Sequence, residues 1–158
     1  MNIYMREAIK EAIKGFTLGH GGPFGSVIVK QNKDGEKEII ARGHNKVLLE
    51  NNPLRHGEMD AIANATRVLK SFDLTGCDLY TTGEPCPMCL AAIMWSNINN
   101  VFYGCTIEDN ERIGFRDNKF NSRMNINRNN FHNMYQIDRD MCLRLFDEYR
   151  RSKNKRLY

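Results

Sequence analysis

Three residues in two short motifs could together bind a metal ion. Cys86 and Cys89 are separated by two residues, so both thiolates could bind one ion from the same side if a helix begins there. His56, in an earlier segment of the chain, adds an imidazole. Three protein ligands leave one position for water, which is typical of a hydrolytic zinc site, whereas a structural zinc site has four protein ligands. We therefore expect one Zn²⁺ per subunit on His56, Cys86 and Cys89.

Glu58 could supply the proton transfer at such a site. It follows His56 by two positions and precedes an apolar periodic run that predicts a helix. At that spacing its carboxylate can lie beside the metal without binding it. Zinc lowers the pKa of a bound water toward about 7, and Glu58 would take its proton and pass it to a departing amine. H-x-E together with P-C-x-x-C is the signature of zinc nucleobase deaminases, so the motifs predict a hydrolytic deamination that releases ammonia.

Three other interpretations of these motifs stay open. A closed structural zinc site would need a fourth ligand, for which Cys77, Cys105 and His44 are candidates. A reduced redox pair of the thioredoxin type is the second, although no other redox feature accompanies Pro87-Met88 between the cysteines. The third is a coincidental cysteine pair, against which the linked H-x-E motif argues.

Length and composition favour one cytoplasmic domain. A chain of 158 residues is long enough to bury its own core, so we expect a single domain over 1–158. We see no leader segment and no apolar run of membrane-spanning length, and we expect no membrane partner. The five cysteines are an odd number that fits a reducing compartment, and Cys77, Cys105 and Cys142 are expected to be buried thiols. The net charge of +4 and the basic tail at 150–156 leave nucleic-acid binding open.

The elements that must position the motifs alternate between helices and strands. Their predicted ranges are helix 3–18, strands 24–30 and 38–44 forming an antiparallel hairpin, helix 57–69, strand 77–82, helix 87–95 and strand 101–104. The short connection before the last strand predicts that it lies parallel to its neighbour. This order predicts a three-layer α/β/α sandwich around a mixed sheet, with the metal between two helix starts at the carboxyl ends of strands.

Three regions carry further expectations. The helix over 87–95 is apolar almost all round, which predicts that it is covered on most sides. The segment 106–134 is polar and rich in asparagine, and its pattern does not allow helices or strands to be assigned. Apolar residues at helical spacing over 142–149 predict a last helix, capped by Asp138 or Asp140.

Several motifs resemble those of a known superfamily. GGPFG, Asn45, HGE, EPCPMC followed by AAIMW, and VFYG are similar to the motifs of the cytidine-deaminase superfamily along the first two thirds of the chain. Within it, the chain looks most like the small bacterial guanine deaminases. Trp95, the Gly-Phe-x-Asp segment at 114–117 and the terminal Asn-Lys-x-x-Tyr favour that branch. The resemblance implies a cytidine-deaminase-like fold and conversion of guanine to xanthine and ammonia.

The resemblance also implies how the substrate is held. Phe24 and Trp95 would lie against the purine ring, Asn45 at its polar edge and Asp117 near the 2-amino group. A carboxylate suits guanine because N1–H and the 2-amino group are both donors, while adenine has an acceptor at N1. In guanine deaminases of this type the C-terminal segment is exchanged between the subunits of a homodimer. Its last tyrosine, here Tyr158, closes the site.

The chain departs from the family pattern around the histidine. Gly57, counted among the substrate contacts, replaces a common alanine, and Leu54-Arg55 replace smaller residues. Arg55 beside the metal would shift substrate choice toward a phosphate-bearing or nucleoside substrate. The alternatives are therefore a guanosine or cytosine deaminase and, given the basic tail, a tRNA-specific adenosine deaminase that forms inosine at the wobble position. A zinc-stabilised binding module without chemistry is the alternative of a different class.

Overall fold

The computed structural model describes residues 1–131, 133–153 and 155–158. His132 and Asn154 lie outside the described residues. Asn154 is the first residue of the Asn-Lys-x-x-Tyr pattern, so that part of the pattern is not described. The helices are α1 (Ile3–Thr17), α2 (Val47–Glu50), α3 (Gly57–Leu69), α4 (Pro87–Trp95), α5 (Ile107–Arg112), α6 (Asp117–Arg123), a 3₁₀ turn (Arg128–Asn130) and α7 (Arg139–Arg151). The strands are β1 (Gly25–Gln31), β2 (Lys37–His44), β3 (Cys77–Gly83), β4 (Asn100–Cys105) and β5 (Met134–Gln136).

The strands form one mixed sheet in the order β2-β1-β3-β4-β5. Strand β1 pairs antiparallel with both β2 and β3, which confirms the predicted hairpin. Strands β3, β4 and β5 run parallel, so the predicted parallel crossover through α4 is also confirmed. The carboxyl ends of β3 and β4 therefore lie at one edge of the sheet, where ligands bind in open α/β sheets.

Helices cover both faces of this sheet, as predicted. Successive residues of a strand point to opposite faces, and in β1 Val27 and Val29 face one core while Ile28 faces the other. Helices α1 and α7 pack on the first face, and α3 and α4 on the second. The result is the predicted three-layer α/β/α sandwich around a mixed sheet.

A close approach between α3 and the hairpin fixes where the histidine motif lies. A Cβ atom on Gly43 of β2 would come within 2.3 Å of the Ala61 backbone nitrogen and 2.7 Å of the Gly57 oxygen. Only a residue without a side chain lets the helix lie directly on the strand here. The first turn of α3, which follows His56, is thereby held against the sheet edge.

Two expectations need correction, and one unassigned segment has regular structure. Helix α4 is not covered on most sides, because Ala91, Met94 and Trp95 are exposed. The segment 106–134, where the sequence pattern assigned no element, contains α5, α6, the 3₁₀ turn and the first residue of β5. Asp138 does precede α7, but its side chain makes no capping bond and instead accepts a hydrogen bond from the Asn2 backbone N–H at 2.8 Å.

Within the described ranges, no helix combines the length and the apolar character that a bilayer crossing requires.

Candidate active site

His56, Cys86 and Cys89 converge as the sequence predicted. The Nδ1 atom of His56 lies 3.5 Å from the Cys86 sulfur and 3.6 Å from the Cys89 sulfur, and all three candidate ligand atoms lie within 4.8 Å of one another. Zn–N and Zn–S bonds of about 2.0 and 2.3 Å at a tetrahedral angle place nitrogen and sulfur about 3.5 Å apart. The side chains therefore already have the spacing of a zinc site, and the donor set suits zinc.

Two helix N-termini position these ligands. His56 is the N-cap residue of α3, and Cys86 is the N-cap residue of α4 with Pro87 at the first helical position. Proline is favoured there because its missing N–H is not needed and its φ suits the helix. Since the N-terminal end of a helix carries partial positive charge, it favours thiolate over thiol. The predicted location between two helix starts is confirmed.

The electrostatics of the cluster reflect its burial and its acidic neighbours. Burial alone would lower the pKa of His56, but its contact with Cys86 and the charges of Cys86, Glu58 and Asp117 raise it to about 9. Hydrogen bonds from Cys89 and then from His56 lower the pKa of Cys86 to about 4. The hydrogen bond with Cys86, and then burial, raises the pKa of Cys89 well above the ordinary value of a thiol. Such a cluster of imidazole and thiolates is well suited to bind a cation.

Glu58 lies beside the cluster. It is the second residue of α3, is only 5% exposed, and lines the same cavity as His56 and Cys86. Burial, and after it the negative charge of Cys86, raises the pKa of Glu58 to about 7. A carboxyl group with a pKa near neutrality can both accept and donate a proton.

The cavity in front of these residues has a volume of about 350 Å³. That is at the lower end of the usual range for small-molecule sites. Six of the residues predicted from the motifs and the resemblance contribute to its wall together with Cys86, namely Phe24, Asn45, His56, Glu58, Asp117 and Tyr158. The structure thus brings the metal ligands and most of the expected substrate contacts into one space.

Asp117 begins helix α6 and points into the cavity wall. Its Oδ2 atom accepts a hydrogen bond of 3.0 Å from the side-chain nitrogen of Asn110 on α5. Burial, and then the charge of Cys86, raises the pKa of Asp117 to about 6. The carboxylate therefore stays ionised at neutral pH and keeps one oxygen that Asn110 does not contact. Sequence reasoning did not identify Asn110.

Asn45 and Tyr158 form the opposite part of the wall. Asn45 is buried, and its Oδ1 atom accepts a hydrogen bond of 3.1 Å from the Val47 N–H. The Tyr158 hydroxyl accepts a hydrogen bond of 3.0 Å from the Gly22 N–H, and its ring meets that of Phe115 edge-on at 5.4 Å. Burial raises the pKa of Tyr158, so its hydroxyl stays protonated. The last residue is thus held in the site of its own chain.

Phe24 presents its ring to the same cavity. It packs edge to face against Phe115, with ring centroids 4.8 Å apart. Phe146 of α7 supports it from behind at 5.7 Å. Two rigid aromatic contacts of this kind fix the orientation of the Phe24 ring.

Trp95 and Gly57 do not reach the cavity. Trp95 is the last residue of α4 and is 86% exposed, so its assignment to the purine ring is wrong within one subunit. Eight residues separate it from Pro87 in the helix, which is about 12 Å at the usual rise. Gly57 lies behind the wall, where an added Cβ would be 2.9 Å from the Phe24 carbonyl oxygen. Its contribution is the close packing of α3 on that backbone rather than a substrate contact.

Arg55 does not act beside the metal either. Its guanidinium pairs with Asp60 at 2.8 Å and also with Glu50. Two carboxylates, one on α2 and one on α3, thus neutralise the guanidinium, and Arg55 is not among the residues that line the cavity. Its position gives no support to the expected shift of substrate choice. Leu54, its neighbour, lines the cavity instead.

The alternative of a closed four-ligand zinc site finds no support. Among the residues that the structure describes, the cluster of possible metal ligands consists of His56, Cys86 and Cys89. Cys77 and Cys105 are buried in the two cores on either face of the sheet. The side chain of His44 instead contacts Glu11 at 3.1 Å and His20 at 2.9 Å.

Comparisons with known proteins agree with this geometry. Residues 2–105 match the family model of the cytidine and deoxycytidylate deaminase zinc-binding region. Guanine deaminase of Bacillus subtilis is 46% identical over 114 residues, which are 72% of this chain and 70% of that protein. The tRNA-specific adenosine deaminase of Rickettsia bellii is 37% identical over 119 residues, 75% of this chain and 79% of that protein. The X-ray structure of a Bacillus subtilis guanine deaminase superposes with a TM-score of 0.72 at 37% identity, covering 100% of this chain and 99% of that one.

Proposed function

Because this chain belongs to the cytidine and deoxycytidylate deaminase zinc-binding family, we propose that it is a zinc-dependent guanine deaminase, which hydrolyses guanine to xanthine and ammonia. One observation carries the choice of guanine. Asp117 and Tyr158 line one cavity with Glu58, His56 and Cys86. The similarity to guanine deaminase of Bacillus subtilis supports the same choice.

The chemistry divides between the metal and Glu58. Zinc held by His56, Cys86 and Cys89 would supply an activated water with a pKa near 7. The Glu58 carboxylate accepts the proton of the attacking water and donates it to the amino nitrogen of the base, which leaves as ammonia. Its position beside the cluster, in the wall of the same cavity, suits both steps.

Recognition of guanine rests on residues around the same centre. The Asp117 carboxylate, whose charge also acts on His56, accepts from N1–H and from the 2-amino group that leaves, while the fixed ring of Phe24 packs on the base. Asn45 faces the polar edge with its side-chain nitrogen, because its oxygen already accepts from Val47 N–H. Adenine has an acceptor at N1, whose partial negative charge would face the negative Asp117 carboxylate and be repelled by it.

Tyr158 closes the cavity in this proposal. Its hydroxyl is held by the Gly22 N–H and its ring by Phe115. In the structure these contacts are made by the tail of the same chain. We propose a homodimer in which the C-terminal segment is exchanged, as the resemblance to guanine deaminases implies.

The test is ammonia release by the zinc-loaded protein from guanine, guanosine, adenine, cytosine, cytidine and a tRNA anticodon stem-loop. Turnover of guanine with none of the others above background would support the proposal. Turnover of adenine, cytosine or cytidine at a rate matching guanine would contradict the role given to Asp117, whereas turnover of guanosine at that rate would contradict the free base as the substrate. Size-exclusion chromatography with light scattering would measure the mass of the assembly and test the dimer.

A second candidate function is wobble-adenosine deamination of tRNA. The Rickettsia bellii relative supports it, as do exposed basic residues in the tail, Arg150, Arg151, Lys155 and Arg156. An enzyme of this kind should bind an anticodon stem-loop with steep salt dependence, because it neutralises backbone phosphates. Turnover of the stem-loop without turnover of guanine would establish this function in place of the first.

A further inference from the structure

Arg128 is an arginine from the polar segment that lies largely buried against the metal-binding loop. Its side chain is only 14% exposed. Each of its three guanidinium nitrogens donates to a different acceptor: Nη1 to Glu84 Oε1 at 3.1 Å, Nη2 to the Pro85 carbonyl at 2.7 Å, and Nε to Asn121 Oδ1 at 2.9 Å. A buried charge is costly unless it is paired and hydrogen-bonded in this way. The chemistry proposed above gives Arg128 no role.

Two of these contacts fix the residues immediately before the first cysteine ligand. Besides Arg128, the Glu84 carboxylate binds the Ile107 N–H through Oε2 at 2.8 Å. The Glu84 carbonyl accepts a hydrogen bond of 3.3 Å from the side-chain nitrogen of Asn110. The Glu84 backbone N–H donates one of 2.7 Å to the Cys105 carbonyl. Glu84 is therefore fixed through its backbone N–H, its carbonyl and its side chain. Arg128 also binds the carbonyl of the next residue, Pro85. The chain direction into Cys86 follows from these bonds.

The third contact reaches the helix that carries the specificity residue. Asn121 lies on α6, the helix that begins with Asp117 and also places Phe120 in the cavity wall. One guanidinium thus joins the loop leading to Cys86 with the helix leading from Asp117. These are the two parts of the site whose separation decides whether the base lies in front of the metal.

We propose that Arg128 is a positioning residue that sets this separation, holding the Glu84–Pro85 loop for zinc and α6 for the base. The part that concerns the base rests on the proposed guanine deaminase function, whereas the part that concerns the loop does not. A lysine could replace the charge but not the three directions of donation, since its ammonium is a compact point charge.

The test compares R128Q with R123Q, a matched change of an exposed arginine on the same side of the cavity in α6. Zinc release from the loaded proteins to a chromogenic chelator is followed at 25 °C, and kcat and KM for guanine are measured separately. We expect R128Q to release zinc at least fivefold faster and to raise KM at least fivefold, with kcat changed less than threefold. R123Q should match the parent protein in all three quantities.

A second variant keeps the proposal testable if R128Q does not fold. R128K retains the charge that balances Glu84, and we expect it to fold, with KM still raised at least threefold. Zinc release and KM at the parent values in every folded variant, with only the melting temperature lowered, would show that Arg128 is merely structural and would overturn the proposal. If the parent protein does not act on guanine, the proposed function is wrong. The zinc-release measurement then still tests the role of Arg128 in holding the Glu84–Pro85 loop.

Discussion

The sharpest prediction concerns Asp117 and its replacement by asparagine. Asn110 donates to Asp117 Oδ2, and its position is itself fixed by a second bond to the Glu84 carbonyl. In D117N the new amide would turn its oxygen toward Asn110, because the alternative places two N–H donors face to face. The amide nitrogen then faces the base. In the variant, N1–H and the 2-amino group of guanine would face an N–H donor, whereas in the parent protein they face an accepting carboxylate.

The size of the effect follows from the bonds lost. Hydrogen bonds to charged groups contribute about 1.5–3 kcal/mol each, so losing two costs at least about 3 kcal/mol. At about 1.4 kcal/mol per factor of ten, kcat/KM for guanine should fall roughly 100-fold or more. Adenine should be rejected less strongly than before, because its N1 acceptor can take a hydrogen bond from the new amide.

The assay is ammonia release at pH 8, where Asp117, with a pKa of about 6, is ionised in the parent protein. Metal analysis should show unchanged zinc, since Asp117 is not among the clustered ligands. E108Q, which neutralises an exposed acid on the neighbouring helix, serves as the matched control. A kcat/KM for guanine within threefold of the parent in D117N, at full zinc content, would refute the assignment of Asp117 to the base.

The remaining predictions address proton transfer, the tail and pH. E58Q should retain zinc while kcat falls about 10²- to 10⁴-fold, the usual contribution of a positioned acid–base group; metal analysis with ammonia release measures both, and turnover within tenfold of the parent argues against the role. Deleting residues 152–158 removes Tyr158 and should raise KM for guanine with zinc content unchanged, which unaltered kinetics would contradict. Burial, and then the charges of His44 and nearby lysines, lowers the pKa of His20 below 6.5. The unfolded chain therefore binds a proton at His20 more readily, so the free energy of unfolding should decrease as pH falls below 6.5. Urea unfolding at pH 7 and 5 should show a smaller decrease in H20N, and an equal decrease in both proteins would exclude His20 as a cause.

Local patterns sufficed for the elements that carry the metal. The predicted helices over 57–69 and 87–95 agree with α3 and α4 to the residue, because apolar periodicity, Pro87 and the motif residues all lie within those short stretches. Residue type and spacing also predicted the metal ligands, since two thiolates and an imidazole near helix starts have few other stable uses. These inferences required no knowledge of distant contacts.

The missed helix α5 did have a local signal. Thr106 and Asp109 form a capping box in which each side chain binds the backbone of the other. The usual pattern has glutamate or glutamine at the second position, and aspartate in an asparagine-rich segment did not stand out. Short helices of this kind are stabilised mainly by what they pack on, which a pattern along the chain does not contain.

Other features depend on long-range pairing and could not be predicted from one sequence. Arg128 and Glu84 are 44 positions apart, and nothing near either residue indicates the other. The exposure of Trp95 likewise depends on where the neighbouring elements stop, not on the apolar character of α4. Arg55 was expected at the metal because it is adjacent in sequence, whereas its side chain turns toward Asp60.

The distribution of the cysteines makes metal loading measurable with ordinary thiol chemistry. Cys77, Cys105 and Cys142 are fully buried, and burial raises the pKa of each, to about 12 for Cys142. Cys86, by contrast, borders the cavity and has a lowered pKa, so it is a reactive thiolate wherever no cation covers it. A maleimide or iodoacetamide label applied to the folded protein should therefore modify the metal-free fraction of a preparation and spare the loaded fraction. The same contrast makes the metal-free fraction the one that oxidises on storage, so preparations kept without zinc and without a reductant should lose the capacity to bind zinc.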